Sequence, residues 1–129
     1  MKQKKVSPYD ENVMEALAKL PKTIFDKKHN LTIVVRNDQA RSNQTRFEHI
    51  ARKDHQLKVR DIESIPEGIV NYVRYVKSHI HKETYYYFIK RKGESSGFIQ
   101  MAVKLLENDR HAAYIKTIFI TYRVEENRL

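Results

Sequence analysis

The chain has 129 residues, 40% of them hydrophobic and 32% charged, a globular composition rather than a disordered one. The 25 Lys and Arg outnumber the 16 Asp and Glu, giving a net charge of +9; this suits a polyanionic partner, since clustered cations gain from counterion release at phosphates, although solubility alone accounts for a surplus equally well. The lack of cysteine excludes disulfides and thiolate metal sites, and the presence of only three glycines excludes a glycine-rich nucleotide loop.

One domain over residues 1–129 is the economical expectation, with residues 1–6 a loose basic arm. No apolar run reaches the ~18 residues of a membrane span. The N-terminal MKQKKVSPYD has a signal peptide's cations without its apolar stretch, so a cytoplasmic protein with no membrane partner is expected. Delivery by a dedicated secretion system would leave no such mark.

In chain order, Ser7 and Pro8 read as the cap and first residue of a helix, with Asp10 and Glu11 at its positive end. Val13, Met14, Leu17 and Leu20 form its apolar stripe, and Pro21 ends it. Ile24 and Phe25 extend a connecting turn. Leu31 to Arg36 is short, apolar and β-branched, which favours a strand, and 37–43 reads as a loop.

Thr45 with Glu48 three residues later is a capping-box signature. At 100° per residue Phe47, Ile50 and Ala51 fall on one side of that helix, and Arg46, His49 and Lys53 on the other. His55 follows at or just past the helix end. Ile62, Ile65 and Ile69 recur at helical spacing around Pro66, predicting two short helical turns broken before the proline. Tyr72 to Val76 begins a strand or finishes the last turn.

Thr84 to Lys90, Phe98 to Leu106 and Ala112 to Val124 read as three strands joined by turns, the first at Lys92–Gly97, making an antiparallel meander. Ile99, Met101, Val103 and Leu105 share the core face of the second strand. Phe98, Gln100, Ala102 and Lys104 share the other, a candidate working face. In the last strand, simple alternation sets Lys116 opposite in phase to Thr117, Phe119 and Thr121. Helices followed by an antiparallel sheet is an α+β order.

Cleaving RNA needs little apparatus, because the neighbouring 2′-hydroxyl is tethered beside the phosphorus. The protein must add a base, an acid and fixed positive charge. Histidine suits the first two parts and Lys or Arg the third, with a hydroxyl helping to hold phosphate. His49 and His55 are the candidate acid and base, and Lys104 with Thr117 or Thr121 the candidate phosphate ligands. Arg46, Arg52, Lys53, Lys90 and Lys116 are candidate nucleic-acid contacts. The bland readings are a solvated histidine at position 49, helix-end capping by His55, a solvent-facing strand lysine and ordinary strand threonines. His79 and His81 form a His-x-His pair without a clear third ligand, so no metal or other cofactor is expected. Tyr85, Tyr86 and Tyr87 read either as base-stacking rings or, preferably, as a buried strand. Lys90, Arg91 and Lys92 contact phosphates or form a solvated hairpin edge.

The segments RFEHIARKDH, IESIPEGI and AYIKTIFITYRV resemble phage-associated nucleases of the barnase, EndoU, colicin and RelE group (the PBECR type) over roughly Thr45 to Val124. That resemblance implies helices packed on a four-stranded antiparallel sheet, and a metal-independent ribonuclease of toxin, phage or conflict systems. It carries the two histidines onto His49 and His55 and the last-strand threonine onto Thr117 or Thr121. Lys104 is placed by its strand alone, and the acid or serine that some members use has no counterpart. The expected partners are RNA and an acidic immunity or antitoxin protein. Two rivals remain: a noncatalytic RNA- or DNA-binding module, and an accessory protein that pairs with an acidic partner.

Overall fold

The structure is a computed structural model that describes residues 7–93 and 97–122. The expected basic arm at 1–6, the middle of the hairpin connection at 94–96 and the end of the last predicted strand at Val124 lie outside the described residues.

Helix α1 (Glu11–Ala18) is capped by Asp10, whose carboxylate accepts the Asn12 and Val13 N–H groups. The expected cap, Ser7, instead accepts the N–H of Tyr9. A carboxylate at a helix start satisfies orphan donors and also meets the positive end of the helix dipole, so Asp10 prevails. Val13, Ala16 and Leu17 are its buried stripe.

Ile24 and Phe25 do not lie in a turn. They belong to strand β1 (Thr23–Asp26), which pairs antiparallel with β2 (Leu31–Val34), Ile24 opposite Ile33. Ile24 and Asp26 point inward and Thr23 and Phe25 outward, the alternation of a strand. The inward acid disguises that pattern in the sequence. The segment read as a loop holds a small ribbon, β3 (Gln39–Arg41) with β4 (Gln44–Thr45). Next come α2 (Arg46–Ile50), a 3-10 turn (Lys53–His55), α3 (Val59–Glu63) and α4 (Ile65–Val70), with Pro66 in the opening turn of α4.

Strands β5 (Arg74–Lys77), β6 (Thr84–Lys90), β7 (Phe98–Leu106) and β8 (Asp109–Thr121) form an antiparallel meander. β8 also pairs in parallel with β2 through Thr32–Ala112 and Val34–Tyr114, so the sheet order is β1-β2-β8-β7-β6-β5. The fold is thus α+β with a six-stranded mixed sheet, rather than four antiparallel strands behind the helices. A lone β1–β2 hairpin could not bury Ile24, Leu31 and Ile33, and joining β8 gives them a core.

Helices α1 to α4 contribute to the core on one face of the sheet, where Val13, Leu17, Ile50, Ile62, Ile65 and Ile69 meet Ile33, Tyr87, Ile99, Met101 and Ile118. Tyr86, Phe88 and Ala102 are buried on the second face. β8 carries a bulge: Ala102 faces Thr117 while Val103 faces Ile115, leaving Lys116 as the extra residue. Core residues are odd-numbered before it (Ala113, Ile115) and even-numbered after it (Ile118, Ile120). The bulge therefore leaves Tyr114, Lys116, Thr117, Phe119 and Thr121 out of the core together, correcting the expectation that Lys116 and the threonines lie on opposite faces.

Gly68 of α4 packs directly on β6, where an added Cβ would stand 2.5 Å from Ile89 Cγ2. In Gly68→Ala this overlap, about 1–3 kcal/mol, should exceed the ~1 kcal/mol of helix propensity gained. Thermal melting should show a lower midpoint than the parent, and a raised midpoint would contradict the packing. Among the described residues no helix is long and apolar enough to cross a membrane.

Candidate active site

Helix α2 begins with the expected capping box: the Glu48 N–H donates to Thr45 Oγ1 at 3.2 Å and the Thr45 N–H to Glu48 Oε1 at 2.9 Å. The helix lies against β8 beyond the last residue that β2 pairs. Its outward face differs from the expected one, because Arg46 is buried. The Arg46 guanidinium donates to both Asp38 oxygens, at 3.0 and 3.2 Å, and to the Lys116 carbonyl at 3.2 Å. Its hydrogen bond holds the Asp38 carboxyl below the usual carboxylate range, with Arg36 adding to the effect and burial opposing it. Arg46 thus ties α2 to the β8 bulge. Its guanidinium also lies 5.2 Å from the Tyr114 ring, over which Arg36 sits at 4.1 Å.

His49 and His55 come together edge-on, their ring centroids 5.5 Å apart and their planes at 90°. His55 Nδ1 lies 2.9 Å from the Ile50 carbonyl. A carbonyl only accepts, so Nδ1 carries the proton and Nε2 is the remaining ring nitrogen. His49 Nδ1 is 3.3 Å from Gln44 Oε1, and the Gln44 amide nitrogen faces the Tyr9 hydroxyl at 3.3 Å. With the Gln44 amide in this orientation, His49 Nδ1 donates to Oε1 and Nε2 is the remaining ring nitrogen. Burial pushes the His49 pKa down to about 4, helped by the positive charge of His55, Arg41, Arg46 and Arg52. His49 is therefore unprotonated at neutral pH, a proton acceptor surrounded by cations.

Lys104 stands between Thr84 and Tyr114 in the strand register. The Lys116 ammonium is held below its usual pKa by burial and by the charges of Lys104 and Arg46. Thr117, next to Lys116 and across from Ala102, has a buried hydroxyl oxygen with no hydrogen-bond partner. Thr121 lies further along β8, across from Phe98. His55 reaches the same face of β8 through Phe119, its ring 6.2 Å away, and Phe119 pairs with buried Gln100. Histidines, lysines and an unsatisfied hydroxyl thus flank one stretch of β8.

The other predicted contacts are dispersed. Arg52 pairs with Asp54 at 2.8 Å, Lys53 is exposed in the 3-10 turn, and Lys90 is exposed at the end of β6 opposite Phe98. Arg91 is no surface cation but a buried partner of Asp61, and Lys92 pairs with Glu67. Tyr87 is core, Tyr86 lies on the second face and Tyr85 stacks on Tyr75. His79 and His81 are exposed, and among the described residues no group of three or more His, Cys, Asp or Glu is placed to hold a metal ion. Gln44, Asp38, Arg36 and Tyr114 are site components that sequence reasoning missed. The one available signal was Gln44 directly before the cap, and nothing local links Asp38 to Arg46.

The His49 environment predicts acid sensitivity. Above pH 6.5 His49 is neutral folded or unfolded; as pH falls from 6.5 towards 4 only the unfolded chain takes up the proton, so stability drops. His49→Gln should remove this contribution, about 1 kcal/mol after allowing for solvent screening of a partly exposed ring. Urea midpoints at pH 7 and pH 4.5 should therefore fall further for the parent than for the variant. Equal falls would refute the depressed pKa.

Comparison with protein-family models, with curated proteins and with solved structures returned no match for this chain.

Proposed function

We propose that the chain is a metal-independent endoribonuclease that cleaves RNA through attack of the 2′-hydroxyl. The observation that carries this reading is the His49–His55 pair, 5.5 Å between rings, with Nδ1 of each engaged by the protein. His49 Nε2, kept unprotonated, takes the 2′-hydroxyl proton as the 2′-oxygen bonds to phosphorus. His55, as the imidazolium, gives its Nε2 proton to the 5′-oxygen as the P–O5′ bond breaks, while its Nδ1 proton stays with the Ile50 carbonyl. The products are a 2′,3′-cyclic phosphate and a 5′-hydroxyl. Lys116 and Lys104, with the Thr117 hydroxyl, stabilise the charge on the non-bridging oxygens. The resemblance of RFEHIARKDH and the strand motifs to PBECR-type nucleases adds a toxin-like or phage-related setting. The same cations would accept an acidic inhibitor protein.

The test is incubation of the purified protein with mixed RNA in EDTA. Fragments ending in 2′,3′-cyclic phosphate are expected. Intact RNA that the protein nevertheless retains in a salt-sensitive manner would replace the nuclease with a noncatalytic binding module.

A further inference from the structure

Away from the histidine pair, the β1–β2 turn meets the end of α4 and the start of β5. The pocket there is lined by Phe25, Asp26, Lys27, Lys28, Val70 and Tyr72, together with buried Ile69. Phe25 is 54% exposed and Val70 74% exposed, so large apolar surface faces solvent beside two lysines. Tyr72 is pinned in place: its ring meets Tyr87 edge-on at 5.1 Å, and its hydroxyl lies 2.8 Å from His29 Nδ1. His29 is itself held by the buried Asp26 carboxylate at 2.9 Å and stacks on Tyr75 at 3.9 Å, and Tyr75 stacks on Tyr85. Asp26 also accepts the Tyr87 hydroxyl at 2.6 Å and the Lys28 N–H at 3.1 Å. The Lys28 ammonium stands 5.8 Å from the Tyr72 ring centroid.

Resting on the RNA reading above, we infer that this pocket is an accessory site for an unpaired nucleobase of the RNA, stacked on Tyr72 and Phe25, with Lys27 and Lys28 on the flanking phosphates. Two features favour RNA over a protein partner. Tyr72 is fixed in orientation before any ligand arrives, which limits the ordering cost of stacking on it. The pocket also sets positive charge beside a π-face, with the Lys28 ammonium over the Tyr72 ring and Lys27 next to it in the lining, the pairing a single strand's bases and phosphates need. None of the pocket's residues belongs to the histidine site, so the two can be altered separately.

The experiment is fluorescence anisotropy with a labelled, non-cleavable 2′-O-methyl oligoribonucleotide. The full chain is compared with Phe25→Ala, Tyr72→Ala, Tyr72→Phe and the double variant Lys27→Gln/Lys28→Gln. Each alanine variant is expected to weaken binding at least fivefold, and Tyr72→Phe to stay within twofold of the parent, because it keeps the ring. The lysine variant is expected to lower the slope of log affinity against log salt by one to two units. Parental affinity in both alanine variants, with the parent binding and cleaving RNA, overturns the accessory site and leaves the nuclease standing. A parent that neither binds nor cleaves RNA overturns both. Competition by poly-glutamate, lost with the lysine variant but indifferent to the alanine variants, would also overturn the nucleobase site and assign the patch to an acidic protein.

Discussion

Arg91→Leu should cost the fold about 3–5 kcal/mol, the usual penalty for stranding one member of a buried ion pair. Asp61 is 1% exposed, and its two oxygens receive Arg91 Nε and Nη2 at 3.0 Å each. The same carboxylate accepts the Lys58 N–H at 2.8 Å, so it caps α3 while pairing with the end of β6. Removing the guanidinium strips a charged interior carboxylate of two charge-assisted hydrogen bonds and leaves it the Lys58 N–H. For a chain of this size the thermal midpoint should fall by roughly 10–20 °C. The double variant Asp61→Leu/Arg91→Leu should be less damaged than the two single losses added together, since no charge is then stranded. A single-variant loss under 1 kcal/mol, measured by urea unfolding, would show that the pair contributes little.

If His49 is the general base of the proposed ribonuclease, His49→Ala should reduce the cleavage rate by about 10²- to 10⁴-fold, the range for removing a general acid or base. Binding of a non-cleavable RNA should change little, because the cations that hold phosphate remain. The parent's acid limb in kcat/KM should follow His49 towards pH 4 and vanish from any residual activity of the variant. Parental cleavage by His49→Ala would move the chemistry away from this ring. Loss of RNA binding together with cleavage would give His49 a part in holding substrate instead.

Local patterns in the sequence announced local structure. Thr45 and Glu48 announced the start of α2, Pro66 the break between α3 and α4, and the alternation in 98–106 the faces of β7. What stayed hidden depends on pairings distant in sequence. Arg46 was expected on the solvated side of its helix, because a helical wheel shows no Asp38 and no Lys116 carbonyl. Lys116 was put on the wrong side, because strict alternation cannot register an extra residue whose only mark is a shift against β7. Asp26 made β1 look like a turn, since a buried carboxylate reads as polar until Tyr87, 61 residues later, is seen to donate to it. Of the candidate site, the two histidines and Lys104 were legible as residue types in plausible places. Their grouping along β8 was not.

The position of β8 between β2 and β7 bears on how the protein is made. β2 emerges from the ribosome early, yet its parallel partner Ala112–Tyr114 follows about 80 residues later in synthesis order. Until then the β1–β2 hairpin has no sheet to join, and α2 has no β8 bulge to anchor Arg46. Pairing this remote makes for slow closure compared with a local helical bundle. The histidines at 49 and 55 are therefore translated long before Lys104, Lys116 and Thr117 exist to face them. On the ribonuclease reading proposed above, a nascent chain would be catalytically blank while it remains close to the RNA of its own ribosome, and competence would arrive only after the last strand has threaded into the middle of the sheet.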